Sequence, residues 1–204
     1  AERDEIGPLW DKAIANPIAP REVETAACHD VVLTGDDLVG LEKGMDGLPI
    51  PISTPGFDSA PYLTMTACVT RDPEFGTQNM GTYRVALKAP DSCVVRMATR
   101  PGGDEGYMHW QKYQERGEPM PIASVVGATP AVVYTAPQKL RIGQEEMAVA
   151  GGLVGEPINM VKARTVDLFV PAESELVVEG LIDTEYLEPE APFGESHGHV
   201  ALEA

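Results

Sequence analysis

Residues 61–99 read PYLTMTACVTRDPEFGTQNMGTYRVALKAPDSCVVRMAT, and the fold is decided in this stretch. Tyr83, Val85, Leu87 and Ala89 share one parity, while Arg84, Ala86 and Lys88 share the other. A period of two places them on opposite faces of a strand. Asp72-Pro73, closed by Gly76, marks a turn between this strand and another at 62–70. Asn79 falls just before the strand that begins at Tyr83.

Working outward, residues 93–99, 121–126, 158–163, 166–170 and 176–182 repeat the pattern of short β-branched or aromatic runs bounded by Gly and Pro. Many short strands of this kind predict a closed or nearly closed antiparallel barrel. Helical spacing is found at residues 6–16, where Ile6, Leu9, Trp10, Ala13 and Ile14 recur, with Asp4 as a candidate cap. Residues 107–116 form a second helix stopped by Gly117. A third, over 145–153, opens on Glu145 and Glu146, the charge that a helix N-terminus favours. Residues 17–60 are rich in Pro and Gly and read as loop and short strand. The expected fold is therefore β-rich α+β: a barrel-like domain over 28–204, preceded by an N-terminal arm over 1–27.

The 204 residues carry 32 acidic and 15 basic side chains, a formal charge of −17. Such a chain repels phosphate backbones, which argues against a nucleic-acid partner. Six of the acids and no Lys or Arg fall in 183–204, which reads most simply as a solvated tail. Cys28, Cys68 and Cys93 are far apart and odd in number, so they signal neither a disulfide framework nor a zinc site. No apolar run reaches membrane-spanning length, and the start lacks the basic-then-apolar order of a signal peptide. The expectation is a reduced, cytoplasmic protein with no membrane partner. The chain opens on Ala1 rather than Met, as a processed or cut piece of a longer protein would.

GxGxxG, Walker, GxSxG and HExxH patterns are all missing. His197 and His199 form an HxH in the acidic tail, where such pairs occur by chance more often than as metal sites. The remaining polar candidates each have a plain reading. Asn79 can be an Asx-turn residue, Arg84 an exposed strand Arg and Glu146 a solvated first-turn acid. Arg96 and Arg100 flank a Gly-rich turn at 101–103 that can hold a phosphate, a weak signal alone. Residues 189–195, PEAPFGE, are less ordinary. Two prolines stiffen a loop that presents Glu190 and Glu195, and rigid paired carboxylates suit acid/base work.

Five blocks taken in order resemble the UbiD family of prenylated-FMN-dependent decarboxylases. Residues 62–84 resemble its strand, D-P-x-x-G turn and N-x-G-x-Y-R; 116–127 (RGEPMPIASVVG) resemble its R-G-E-P-M-P-V. Residues 145–151 match the acidic pair opening its next helix. Residues 161–180 resemble V-K-x-x-T-V-D-L-x-V-P-A-x-x-E-x-V-x-E-G, and 189–198 (PEAPFGESHG) its P-E-G-P-F-G-[DE]-x-x-G. The similarity runs from about Cys28 to the end.

The resemblance implies a flavin-reductase-like split barrel and removal of CO2 from an aromatic or α,β-unsaturated acid, in a reaction that can run both ways. It implies prenylated FMN supplied by a prenyl-flavin synthase, with Mn2+ or Mg2+ and often K+. Asn79 and Glu146 match metal ligands, and a hard cation suits their oxygens. Thr82, Tyr83 and Arg84, then Arg96, Met97 and Ala98, match two cofactor-contact strips. Arg84, Glu190 and Glu195 match the catalytic network, with Glu195 as proton donor.

Three departures stand out. The family's metal-binding His is replaced in PGGDEG (101–106), where Glu105 or Asp104 can substitute and His109 is a more distant candidate. P-E-G-P reads P-E-A-P. Family members are longer, with a C-terminal domain that completes the site and a homo-oligomer. The rival readings are a flavin-reductase-like FMN barrel and a cofactor-binding piece without activity of its own. The Glu190/Glu195 and Asn79/Glu146 pairs have no role in the first of these.

Overall fold

The protein is described by a computed structural model over residues 2–97, 104–141, 143–190, 192–195 and 197–202. Helix α1 (Ile6–Ala15) and strand β1 (Arg21–Val23) form the arm. Strands β2 (Tyr62–Leu63), β3 (Ala67–Arg71), β4 (Gln78–Thr82), β5 (Arg84–Ala89) and β6 (Ser92–Arg96) follow, then α2 (Glu105–Arg116), β7 (Met120–Val126), α3 (Pro130–Thr135) and α4 (Glu146–Val154). Strands β8 (Asn159–Lys162), β9 (Phe169–Pro171), β10 (Leu176–Ile182), β11 (Phe193–Gly194) and β12 (Val200–Ala201) complete the chain.

The class is mixed α+β and strand-rich, as expected. The barrel is not closed among the described residues. The strands fall into a four-stranded antiparallel sheet ordered β10-β7-β3-β4, two three-stranded sheets, β1-β8-β9 and β2-β5-β6, and a β11-β12 pair. Nor is pairing wholly antiparallel, because β1 runs parallel to β8. The run at 62–70 divides at Thr64–Thr66. Its first part joins β5 and its second pairs with β4 and β7. Residues 78–82, which a turn signal had masked, form β4, so Asn79 stands within a strand opposite Thr70. Asp4 lies inside a 3-10 turn at Arg3–Glu5 and does not cap α1.

Strand β3 is buried along almost its whole length because both faces of its sheet are covered. Ala67 and Val69 face a core built with Met80, Val125, Leu168 and Val170, which α3 and α4 close. Cys68 faces the other way, into a cluster with Tyr83, Val85, Trp110, Met120 and Ile122 beneath α2. Burial on both faces removes the polar alternation that a half-solvated strand shows. It also raises the Cys68 thiol to about 11, so this cysteine is an inert core group.

A third, small cluster of Tyr62, Ala86 and Phe193 covers the opposite face of β5. Arg84 and Ala86 share that face, and the loop before β11 lies over it. Both faces of β5 therefore have work. Val85, with Tyr83 just before the strand, builds the core, and the Arg84–Ala86 parity meets Phe193 of β11.

Candidate active site

Arg84 is the centre of an ion-pair network. Its Nε donates to Glu190 Oε1 at 2.6 Å and its Nη2 to Glu190 Oε2 at 2.6 Å, a two-point fork. The remaining Nη1 donates to Glu195 Oε1. Arg96 reaches the same Glu190 oxygen from the neighbouring strand, 3.7 Å away, across the Arg84–Arg96 register of β5 and β6. Tyr62 Oη lies 3.5 Å from Glu190 Oε1. Glu190 is 4% exposed, whereas the Glu195 side chain keeps 31% of its surface. A buried carboxylate would be costly alone and is matched here by two guanidinium groups. The hydrogen bond to Glu190, then the charges of both acids, hold the Arg84 pKa above its ordinary value.

The loop that delivers these acids is tied down from a distance. Asp58 Oδ2 accepts from the Thr54 amide at 2.6 Å, and its Oδ1 accepts from the Gly194 amide at 2.8 Å. A Cβ on Gly194 would stand 2.6 Å from the Thr54 Cβ, so only glycine lets the loop sit this close. The Arg84 guanidinium lies 4.4 Å from the Phe193 ring centroid, a cation–π contact beneath the ion pairs. Asp58, Thr54 and Phe193 escaped the sequence reading. Asp58 meets Gly194 across 136 residues, and nothing local marks such a partner.

A second group lies on a cavity of about 350 Å3 lined by Asn79, Glu145, Glu146, Arg71 and Gln78 among others. Asn79 and Glu146 are 6% and 8% exposed. The Met80 amide donates to Glu146 Oε2 at 3.3 Å, joining the start of α4 to β4. Burial pushes the Glu146 carboxyl up to about 7, and the negative charges of Glu105 and Glu145 add to that. The Asn79 amide nitrogen is buried without a hydrogen-bond partner. The amide oxygen of Asn79 and the under-compensated Glu146 carboxylate line one wall and are the hard oxygen ligands a divalent metal takes, so the pair fits such an ion, whereas the unmet amide N–H calls for an acceptor. Among the described residues, however, no three His, Cys, Asp or Glu side chains form a metal-binding group.

Glu105 lies in the first turn of α2, off that cavity wall. Its pKa is raised by burial and by Asp72. His109 is buried on the same helix, and burial lowers it to about 4, so it is neutral at physiological pH. The two cofactor strips are placed unevenly. Thr82 is exposed, but Tyr83 and Met97 are only 4% and 7% exposed and belong to the core cluster beneath α2. Ala98 and the turn at 101–103 lie outside the described residues. His197 Nδ1 and His199 Nδ1 stand 2.8 Å apart on exposed side chains, and the Glu195 amide donates to the His199 carbonyl at 2.8 Å.

Fold and site together define a strand-rich domain that clamps one arginine between two glutamates and buries an Asn–Glu pair on a cavity wall. The profile of the 3-octaprenyl-4-hydroxybenzoate carboxy-lyase Rift-related domain, UbiD, matches residues 21–204. The chain belongs to the UbiD family. The UbiD-class enzyme HmfF from Pelotomaculum thermopropionicum, solved in complex with FMN, is similar with a TM-score of 0.87 and 28% identity, over 98% of this chain and 43% of that one. The vanillic acid decarboxylase of Sedimentibacter hydroxybenzoicus in its closed form gives 0.86 and 28%, over 100% and 43%. The 3,4-dihydroxybenzoic acid decarboxylase AroY of Klebsiella pneumoniae shares the fold, with a TM-score of 0.86 and 23% identity over 100% and 43%. The chain thus spans less than half the length of each. Among the described residues no helix is long and apolar enough to cross a membrane.

Proposed function

We propose that this chain is the cofactor-binding part of a prenylated-FMN-dependent carboxy-lyase acting on an aromatic or α,β-unsaturated carboxylic acid. The observation that carries the reading is the Arg84 fork, held by Glu190 on two atoms and by Glu195 on the third. Residues 28–204 would carry the site as a split barrel, braced by the arm at 1–27. A solved dimeric form of HmfF holds prenylated FMN, and a full-length homo-oligomer is the corresponding proposal here.

Prenylated FMN, when bound, supplies the electron sink for breaking the carbon–carboxylate bond. Asn79 and Glu146, with Glu105 as third ligand, would hold Mn2+ or Mg2+ at its phosphate, with K+ as a companion ion. Thr82, the main chain at Tyr83 and Met97, and Arg96 would line it. Glu190 holds the Nε–Nη2 edge of Arg84, which leaves Nη1 able to turn from Glu195 to a substrate carboxylate. That exchange releases Glu195 at the moment the acid binds. Freed from the guanidinium, Glu195 takes up a proton from solvent through its partly exposed side and gives it to the carbon that has lost CO2. Neighbours in the larger protein would shape the substrate pocket.

The test is co-expression with a prenyl-flavin synthase, followed by mass spectrometry, metal analysis and assay against aromatic and unsaturated acids. The expected result is prenylated FMN with stoichiometric Mn2+. Glu195→Gln should keep the cofactor and lose turnover by at least roughly 10²-fold, the scale of one proton-transfer group. Plain FMN without metal would support the reductase-like barrel instead.

A further inference from the structure

Helix α2 buries one polar side chain whose hydrogen bonding is only half met. His109 is 1% exposed and its Nδ1 lies 2.9 Å from Oγ1 of Thr70, which is itself fully buried. Its Nε2 is buried and has no hydrogen-bond partner. Two carboxylates face that atom, Glu105 Oε1 at 3.8 Å and Asp72 Oδ2 at 4.0 Å. An unmet buried donor costs about 1–3 kcal/mol, so the arrangement calls for a reason.

The surroundings choose the tautomer. If Nδ1 carried the proton, Nε2 would turn its lone pair on two carboxylate oxygens. With Thr70 donating to Nδ1, the proton sits on Nε2 and points at both acids. Asp72 is already engaged. Its Oδ1 accepts from the amides of Glu74 and Phe75, at 2.8 and 3.2 Å, and its Oδ2 takes Lys112 Nζ at 2.6 Å. Glu105 has no such clamp among the described residues. It sits one helical turn before His109 with its side chain 41% exposed, so a small rotation closes the gap. Its charge is also felt by Glu146. Thr70, finally, stands directly across from Asn79 in the β3–β4 register, which ties His109 to the strand pair that carries the amide.

We propose that His109 is a positioning residue whose Nε2–H holds one oxygen of Glu105, so that the other oxygen faces the Asn79–Glu146 pair. This rests on the reading of Asn79, Glu146 and Glu105 as metal ligands. It gives that reading its orienting partner, as ligating carboxylates generally have one.

Mn2+ binding by calorimetry or electron paramagnetic resonance tests it without any turnover. His109→Phe should weaken Mn2+ roughly tenfold or more, the usual loss of an orienting partner. His109→Gln, whose amide N–H reaches the same place, should stay near wild type. His109→Phe combined with Glu105→Gln should bind no worse than Glu105→Gln alone, because one change acts through the other. If His109→Phe binds like wild type while Glu146→Ala does not, the proposal for His109 fails and the metal site stands. If wild type binds no Mn2+, the metal reading fails and takes this with it. Nitrogen-15 NMR of the wild-type imidazole gives a check that needs no variant. An Nε2-protonated ring supports the proposal, and an Nδ1-protonated ring overturns it.

Discussion

At the residue scale, Glu146 shows how one buried acid makes stability depend on pH. Its folded pKa of about 7 lies above the ordinary carboxyl value because burial penalises the charge. The unfolded chain releases this proton more readily, so ionisation works against the metal-free fold. That cost begins near the ordinary carboxyl pKa, grows as pH rises, and is complete above about 7. It amounts to about 3 kcal/mol at 1.36 kcal/mol per pKa unit. Glu146→Gln keeps an acceptor for the Met80 amide and removes the charge. Thermal unfolding without metal should therefore show the variant gaining on wild type from pH 5 to pH 8. An equal difference at both pH values would contradict the burial argument. Asp72 behaves oppositely. Burial alone would raise it, but Lys112 and the Glu74 and Phe75 amides outweigh burial and keep it low.

At the element scale, the acidic loop works because its backbone is fastened to another segment. Asp58 holds both the Thr54 turn and the Gly194 amide, and β11 and β12 close the loop's far end. Asp58→Ala should leave the core folded, since the residue lies outside all three apolar clusters. It should still lower turnover by one to two orders of magnitude, because a misplacement of about 1 Å costs on the order of 10²-fold. Unchanged turnover, or an unfolded variant, would show that the latch does something else. The loop's composition announced paired acids on a stiff backbone. Its fastening was invisible, because Asp58 and Gly194 are far apart in the chain and meet only after β5 and β11 are in place.

At the scale of the whole molecule, the arm is part of the body. Helix α1 packs on α4, and β1 adds to β8 with the Ile18 amide bonded to the Ala148 carbonyl. Close contact depends on Gly152, where a Cβ would stand 2.8 Å from the Ala13 and Asn16 carbonyl oxygens. Gly152→Val should therefore push α1 off α4 and lower the unfolding temperature by several degrees, given about 1–3 kcal/mol for overpacking. Since α4 begins at Glu146, Mn2+ affinity should fall as well. A variant as stable as wild type would mean that the arm is not braced there.

By itself the sequence determined which segments are strands and helices wherever one rule spoke clearly. The alternation at 84–89, the run at 176–182 and the Gly117 stop needed only local chemistry. Family blocks also named Arg84, Glu190 and Glu195 as a set. Tertiary structure alone decided the rest. Strand β4 was hidden because Gln78, Asn79 and Gly81 are poor strand formers, held there by the β3 ladder rather than by propensity. Closure of the barrel was over-read, since alternation reports a buried face and says nothing of which edges pair. The Asn79–Glu146 wall, the Asp58 latch and the half-met His109 come from contacts between distant elements. Burial and hydrogen-bond geometry exist only once those elements pack, and they turn ordinary side chains into a site.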